Sequence, residues 1–558
     1  MDNQRIFIWG AVALVWFFVY QAWVIDRTPV PATPQTRQQV QVPGPESNSA
    51  LEISADAGDL PSIGVVSDDA QPAPVEAAEP VTGSRYVHVV TDVFDLLIST
   101  VGADIKQLEL RRYPVAKNQP NVPVRLLDPA ASHTFVYQTG LRIPGAGSEP
   151  THLATYSSAQ TEYRLADGET ELKVPFTWTD ENGLTVTKIY TFSRGQYRIG
   201  LDYEVANRGS ADLTVAPYLQ LRREAVTRER SMTDVDSYSF IGPVLYNGEK
   251  YQKLKPENLG EEPVSLTAVG GWIASIQHHF LVAAIPHPGD SYAYRVNLNR
   301  NGQVLESAIG SAQSLPAGQS ISAQQFLFAG PKLQDQLEAT APGLKLTVDY
   351  GWLTVISQPL FWLLRKIYSF VGNWGWSIIL LTMMIKLVFY KLQETSGRSM
   401  AKMRNMQPRV KHLQERYKDD RQGLSAAMME LYRKEKVNPA AGCLPIVVQM
   451  PVFIALYWVL IESVEMRQAP FALWLNDLSS KDPYFVLPLL MGITMFFQQK
   501  LNPTPPDPIQ AKVMMAMPIV FTVFFAFFPS GLVLYWFVNN LLSIAQQWRI
   551  NKVVAREH

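Results

Sequence analysis

Hydrophobic and polar positions fall in blocks along this chain, and each block has its own period. Ile6 to Ile25 is an apolar run without a charge, long enough to cross ~30 Å of hydrocarbon as a helix. Arg5 precedes it, Trp23 lies near its far end, and the following "DRTPVPATPQ" offers no small-x-small cleavage site. Residues 1–27 are therefore expected to form an uncleaved signal anchor with a cytoplasmic N-terminus. Residues 28–84 are rich in Pro, Ala, Gln, Ser and acids, with few aromatics. Such a stretch buries too little apolar surface to order itself, and a flexible tether is expected.

From residue 85 to 342 the period becomes two. "YRIGLDYEV" places Tyr197, Ile199, Leu201, Tyr203 and Val205 on one face of a strand. "FTWTDENGLTVTKIYTF" reads as a hairpin around Asn182-Gly183, and Asn247-Gly248 and Asn301-Gly302 repeat the turn signal. Many short strands punctuated by turns predict a large β-sandwich. His278 and His279 are adjacent, so on a strand they would face opposite ways and could not converge on a metal.

Residues 343–370 contain "GWLTVISQPLFWLL", which is too short to span comfortably and contains Pro359. With Trp352, Trp362, Arg365 and Lys366 it is expected to lie in a membrane interface as an amphipathic helix. From 371 onward the apolar runs lengthen. Candidate spans are 371–391, 442–461, 484–499, 513–528 and 532–548. The expected fold class is a multidomain membrane protein: a bundle of five core transmembrane helices plus the anchor, with the large β-sandwich outside the membrane.

Charge assigns the sides. Residues 392–439 carry eleven Lys and Arg against six Asp and Glu, whereas 462–483 carries two against four. The positive-inside rule makes the first loop cytoplasmic and the second external, and the basic tail 551–558 is again cytoplasmic. Both termini are then cytoplasmic and the β-sandwich is periplasmic. Within the loop, Met400, Met403, Met406, Val410, Leu413 and Tyr417 recur at helical spacing, as do Leu424, Met428 and Leu431. An amphipathic helical hairpin over 393–440 follows. Its methionines suit either packing on each other or adaptable contact with apolar partners.

Composition enters mainly by exclusion. The 558 residues have a net charge of -1 and a mean hydropathy of -0.02, averages that hide the mosaic. A single cysteine, Cys443, rules out an internal disulfide or a cysteine-rich metal site. No GxxxxGK[ST] phosphate loop is present. The cores of the five C-terminal spans lack Asp, Glu and His, which removes the usual proton-coupling groups and the aspartyl and metal routes of proteolysis. Neither an enzyme nor a cofactor or metal site is expected.

The spans do carry Thr382, Lys386, Gln449, Thr494, Gln498, Thr522, Asn539, Asn540, Ser543 and Gln546. Lys386 interrupts "SIILLTMMIKLVFYK", where a charge costs on the order of 3 kcal/mol. It stands about 9 Å of helix rise from Leu392. Snorkelling toward the cytoplasm and service in a polar cavity both remain open. Thr382 shares its helix face.

"VNPAAGCLPIVVQMPVFIALYWVL", "ESVEMRQAPFALWLNDLSSKDPYFVLPLLMGITMFFQQK" and "FTVFFAFFPSGLVLYWFVNN" closely resemble the YidC membrane protein insertases of Gram-negative bacteria. The resemblance implies insertion, folding and assembly of inner-membrane proteins, alone or beside the Sec translocon. It further implies a hydrophilic groove open to cytoplasm and lipid. The partners implied are nascent membrane proteins, the lipid bilayer, the translating ribosome and signal recognition machinery. The family's groove cation matches Lys386, with Thr382 one turn earlier. Gln449, Met450 and Pro451 match its substrate-contacting segment, and Tyr535, Trp536 and Asn539 the groove face of the last helix. Met400, Met403, Arg404, Met406 and Met428 are candidate contacts on the hairpin. Two departures stand out: bacterial members mostly carry arginine where this chain has Lys386, and Trp536 replaces one of a tyrosine pair. Two other readings predict different features: a secondary transporter would need a coupling acid and paired broken helices, and an envelope saccharide-binding protein would need a site on the β-domain.

Overall fold

A computed structural model describes residues 60–61, 85–130, 134–226, 239–417, 420–435, 444–501 and 508–556. The expected anchor and nearly all of the expected tether lie outside these residues.

Strands run from Tyr86–Val90 to Ser320–Pro331 and form an eight-stranded, a six-stranded and a five-stranded sheet. Period-two burial builds them. In Arg198–Asn207, Ile199, Leu201, Tyr203 and Val205 are buried while Arg198 and Glu204 are exposed. The three Asn-Gly signals are all hairpin turns. Gly183, Gly248 and Gly302 have φ of 89°, 92° and 76°, values a side chain would resist. They join Glu171–Thr179 to Leu184–Ser193, Ile241–Tyr246 to Tyr251–Lys253, and Ser291–Leu298 to Gln303–Gly310. The two larger sheets face each other: Thr139 of the six-stranded sheet hydrogen-bonds the Tyr203 hydroxyl of the eight-stranded one.

The expectation for His278 and His279 needs correction. They form the turn between Trp272–Gln277 and Phe280–Pro286. His278 adopts φ 51°, which breaks the strand alternation. The rings stack 3.7 Å apart and both approach the Ile461 carbonyl, Nε2 of His279 at 2.9 Å.

Ten helices are used below: α1 (Gln334–Thr340), α2 (Thr354–Val371), α3 (Trp374–Val388), α4 (Tyr390–Asn405), α5 (Gln407–Arg416), α6 (Arg421–Lys434), α7 (Leu444–Glu462), α8 (Val486–Leu501), α9 (Pro508–Phe525) and α10 (Ser530–Arg556). α10 packs against α3, α4 and α8; α9 packs on α8; α2 packs on α3 and α7. Gly492 lets α8 and α9 approach, because a Cβ there would fall on Thr522 Oγ1. α2 buries Ser357, Phe361 and Leu364 and exposes Val355, Trp362 and Phe370. Gln358, Lys366 and Ser369 are exposed on the same side as these, so that side is mixed and the helix is amphipathic.

Among the described residues no single helix is both long and apolar enough to cross a membrane; α3 and α4 together are, but they bend by 68° at Phe389. The 15 residues of α3 rise about 22 Å, short of the ~30 Å hydrocarbon core. α10, with 27 residues, is long enough, but Asn539, Asn540, Gln546 and Gln547 dilute its apolarity.

The loop stripe expected from Met400 to Tyr417 is divided at Met406 into α4 and α5. Pro408 opens α5, and its missing N–H cannot continue the preceding ladder. Asp420 caps α6 by accepting from Gly423 N at 2.9 Å, and Arg409 pairs with Glu435 across α5 and α6 at 2.6 Å.

Candidate functional site: a lysine among neutral groups

α3 begins where the Asn373 side chain accepts from Trp376 N at 3.1 Å. About two and a half turns on, Thr382 is buried and its hydroxyl donates to the Ile378 carbonyl at 2.7 Å. Lys386 is one turn further and only 8% exposed. Its ammonium donates to Ser543 Oγ of α10 at 2.7 Å and lies 3.5 Å from Gln393 Oε1 of α4. Ser543 in turn donates to the Asn539 carbonyl at 2.8 Å. Gln546 reaches the Tyr390 carbonyl at 3.4 Å, across the α3–α4 bend. Asn540 is buried, and its Nδ2 finds no hydrogen-bond partner. No carboxylate among the described residues pairs with Lys386.

The other lysines buried this deeply are held differently. Lys188, inside the β-sandwich, donates to the carbonyls of Gly102 at 2.6 Å and Thr139 at 2.7 Å. Asp104 lies 3.9 Å away, and the Tyr156 ring 4.9 Å. Burial pulls the Lys188 ammonium down to about 8, against the attraction of Asp104. Burial pushes Asp104 up to about 6, opposed by Lys106 and Lys188. Lys332 pairs with Glu462 at 2.9 Å where the β-domain meets the end of α7.

The remaining predicted site residues form a second group. Tyr535 is buried with its ring 6.1 Å from Phe453 of α7, and Trp536 meets Phe453 edge-on at 4.5 Å. Gln449 is half-buried one turn before Phe453, Met450 is exposed and Pro451 half-buried. Gln449 makes no hydrogen bond with Lys386. The two groups share α10, where Tyr535, Asn539 and Ser543 are spaced four apart and so lie on one face. On the loop, Met406 and Met428 are buried, Met400 and Met403 half-buried, and Arg404 exposed. α4 also docks on the end of α10, through Ala401 with Ile550 and Val554. Sequence reasoning included Ser543 among intramembrane polar residues but missed it as the lysine's partner. Its spacing of four from Asn539 was the available signal. Among the described residues no group of three or more His, Cys, Asp or Glu could hold a metal.

Residues 366–557 match the sequence model of a family described as 60Kd inner membrane protein, and residues 86–363 match the YidC periplasmic domain. The protein class is thus an inner membrane protein bearing a β-rich periplasmic domain. Relatives cover the chain end to end. A membrane protein insertase YidC of Thioalkalivibrio sulfidiphilus is 48% identical over 570 residues, spanning 100% of this chain and 99% of the relative. That of Nitrosococcus oceani is 46% identical over 559 residues and spans 100% of both. A crystal structure of an active YidC insertase aligns over 83% of this chain and 92% of that one, at 19% identity and a TM-score of 0.38. The chain belongs to the YidC membrane protein insertase family, whose name denotes an insertase and not an enzyme.

Proposed function

We propose that this chain inserts membrane proteins through a polar groove between α3, α4, α7 and α10, with Lys386 as its positive charge. The single observation that carries this reading is the placement of Lys386: buried, hydrogen-bonded to a serine and near an amide, and paired with no carboxylate among the described residues. An unneutralised charge held by neutral dipoles can attract an anionic segment, whereas a salt-bridged one would first have to break its pair. Thr382, Asn539 and Asn540 line the same polar region. Tyr535, Trp536, Gln449, Met450 and Pro451 form the flank along which an apolar segment moves.

The groove works by lowering a barrier. Polar partners replace hydrocarbon for a short hydrophilic segment, which then passes part-way across the bilayer. Burial of a ~20-residue apolar span in lipid drives the remainder. α3, α7, α8, α9 and α10 are the proposed spans. The polar side chains that keep α10 from being a plainly apolar span are those the groove requires. α2 lies in the outer interface, both termini face the cytoplasm, and α5 and α6 meet client chains there. The Sec translocon, the ribosome and signal recognition machinery are the proposed partners. They meet the chain at the β-domain and at the basic loop.

The test is depletion of the protein with complementation by Lys386 variants. Insertion of a short single-span client with an acidic or a neutral translocated end is the readout. Lys386→Arg restores both clients. Lys386→Glu impairs the acidic one by about tenfold, the effect of about 1.4 kcal/mol. Equal insertion of both clients by the Glu variant, at equal expression, overturns the electrostatic role.

A further inference from the structure

The six-stranded sheet carries a row of polar residues that face away from the sandwich interior. Gln138 stands opposite Gln220, and Gln220 opposite Ser307. The neighbouring Thr139 points inward to Tyr203, so Gln138 and its row point outward. An outward face is expected to meet water, yet Gln138, Gln220 and Ser307 are all buried. They are chained, with Ser307 Oγ donating to Gln220 Oε1 at 2.7 Å and Gln220 Nε2 to Gln138 Oε1 at 3.0 Å. At the Gln138 end the row opens into a cleft of about 310 Å³, a volume suited to a small molecule. Arg85, Lys106, Arg222, His152 and Ser99 also line it, and among the described residues no Asp or Glu does.

His152 supplies the second observation. The Tyr218 hydroxyl accepts from the His152 backbone N–H at 3.0 Å and lies 2.7 Å from Nδ1. That hydroxyl can accept from Nδ1–H or donate to a bare Nδ1, which leaves Nε2 as an acceptor or as a donor respectively. That Nε2 is buried, borders the cleft and has no hydrogen-bond partner among the described residues. Burial, then the positive fields of Lys106, Lys188, Arg222 and Arg142, hold the imidazole down at about 3, so it is neutral. Lys106 has the Asp104 carboxylate 3.4 Å behind it, on the side of the sandwich interior. A buried polar atom without a partner calls for one, and the surrounding positive charge selects an anionic ligand.

We infer that this cleft of the β-domain binds a small hydroxylated anion, with the anionic group on Lys106 and Arg222 and a hydroxyl group on His152 Nε2. Gln138 offers an amide to a second hydroxyl. The site is independent of the insertion groove.

Calorimetry on the full-length protein in detergent tests this with three probes: glucuronate, glucose 1-phosphate and glucose. Glucuronate or glucose 1-phosphate binds saturably with Kd of ~1 mM or tighter, and glucose at least tenfold more weakly. The tighter of the two anions tells whether a carboxylate or a phosphate is read. Lys106→Gln and Arg222→Gln each weaken the anion about tenfold while the protein stays folded and client insertion is kept. Should Arg222→Gln fail to fold, Lys106→Gln alone carries the comparison. Absence of saturable heat with both anions, glucose binding as tightly as they do, or full affinity in folded Lys106→Gln overturns the assignment.

Discussion

Lys188 and Lys386 are both buried lysines, and their surroundings are opposite in kind. Lys188 is enclosed by two carbonyl oxygens, a nearby carboxylate and aromatic rings. Lys386 meets a serine hydroxyl and, at longer range, a glutamine amide. The first lysine has its charge consumed by the fold, where removing one partner strands the other. The second keeps a charge that no carboxylate among the described residues neutralises, which supports the groove role proposed for it. On this difference rests the proposal that Lys188 is an architectural cation and Lys386 a working one.

The strongest way to break this comparison is Lys188→Met. It leaves the buried Gly102 and Thr139 carbonyls without their donor and Asp104 with Lys106 alone, and a loss of about 4 kcal/mol is expected in chemical denaturation of the β-domain within the full chain. Stability near that of the parent would show that Lys188 is no better integrated than Lys386.

A second effect, on the order of 3 kcal/mol, is a pH dependence. Burial holds Glu306 up at about 8, opposed by Arg223, and Asp104 at about 6. Both folded values exceed the unfolded ones. The folded state therefore binds protons more tightly, and this contribution is complete below the unfolded values near 4. It is lost as pH rises through about 6 and about 8. Unfolding midpoints should fall from pH 5 to pH 8.5, and Glu306→Gln should flatten the upper part of that slope. Both Glu306 oxygens lack hydrogen-bond partners, consistent with a protonated, weakly held group.

Lys332→Met should cost about 2 to 3 kcal/mol. This is at the low end for a buried pair, because Glu462 keeps a donor in Ser239 at 3.2 Å. Hydrogen exchange should rise in residues 462–483, which the β-domain grips through Arg467 with the Pro114 carbonyl and Lys117 with the Asn476 carbonyl. If exchange is unchanged there, the ion pair does not anchor the junction. The smallest stability effect is expected for Lys386→Gln, under about 1 kcal/mol in thermal unfolding, with the insertion defect as its main consequence. A large stability loss would place Lys386 with the architectural lysines.

Much of the fold was legible because its signals are local. Ile199, Leu201, Tyr203 and Val205 alternate, and three Asn-Gly pairs set three hairpins. α2 and the methionine stripes recur at helical spacing. Local signals also misled. His278 and His279 sat inside a β-rich stretch but make a turn that docks on Ile461. The stripe through Met406 looked continuous although Pro408 divides it. Candidate site residues on α3 and α10 could be named from their polarity in apolar runs. Their partners could not, because Lys386 and Ser543 are 157 positions apart and no periodicity links them.

Period, turn chemistry and charge asymmetry, all properties of neighbouring residues, determined by themselves the division into a β-rich part and an apolar helical part and the singular status of Lys386. Only the tertiary structure decided which buried cations are neutralised. It also decided that a row of glutamines ends in a cleft beside His152, and that α3 turns at Phe389 to bring Gln393 near Lys386. Those facts depend on distances between segments remote in the chain, and the energy of a buried charge or donor is set by what stands within a few ångströms of it.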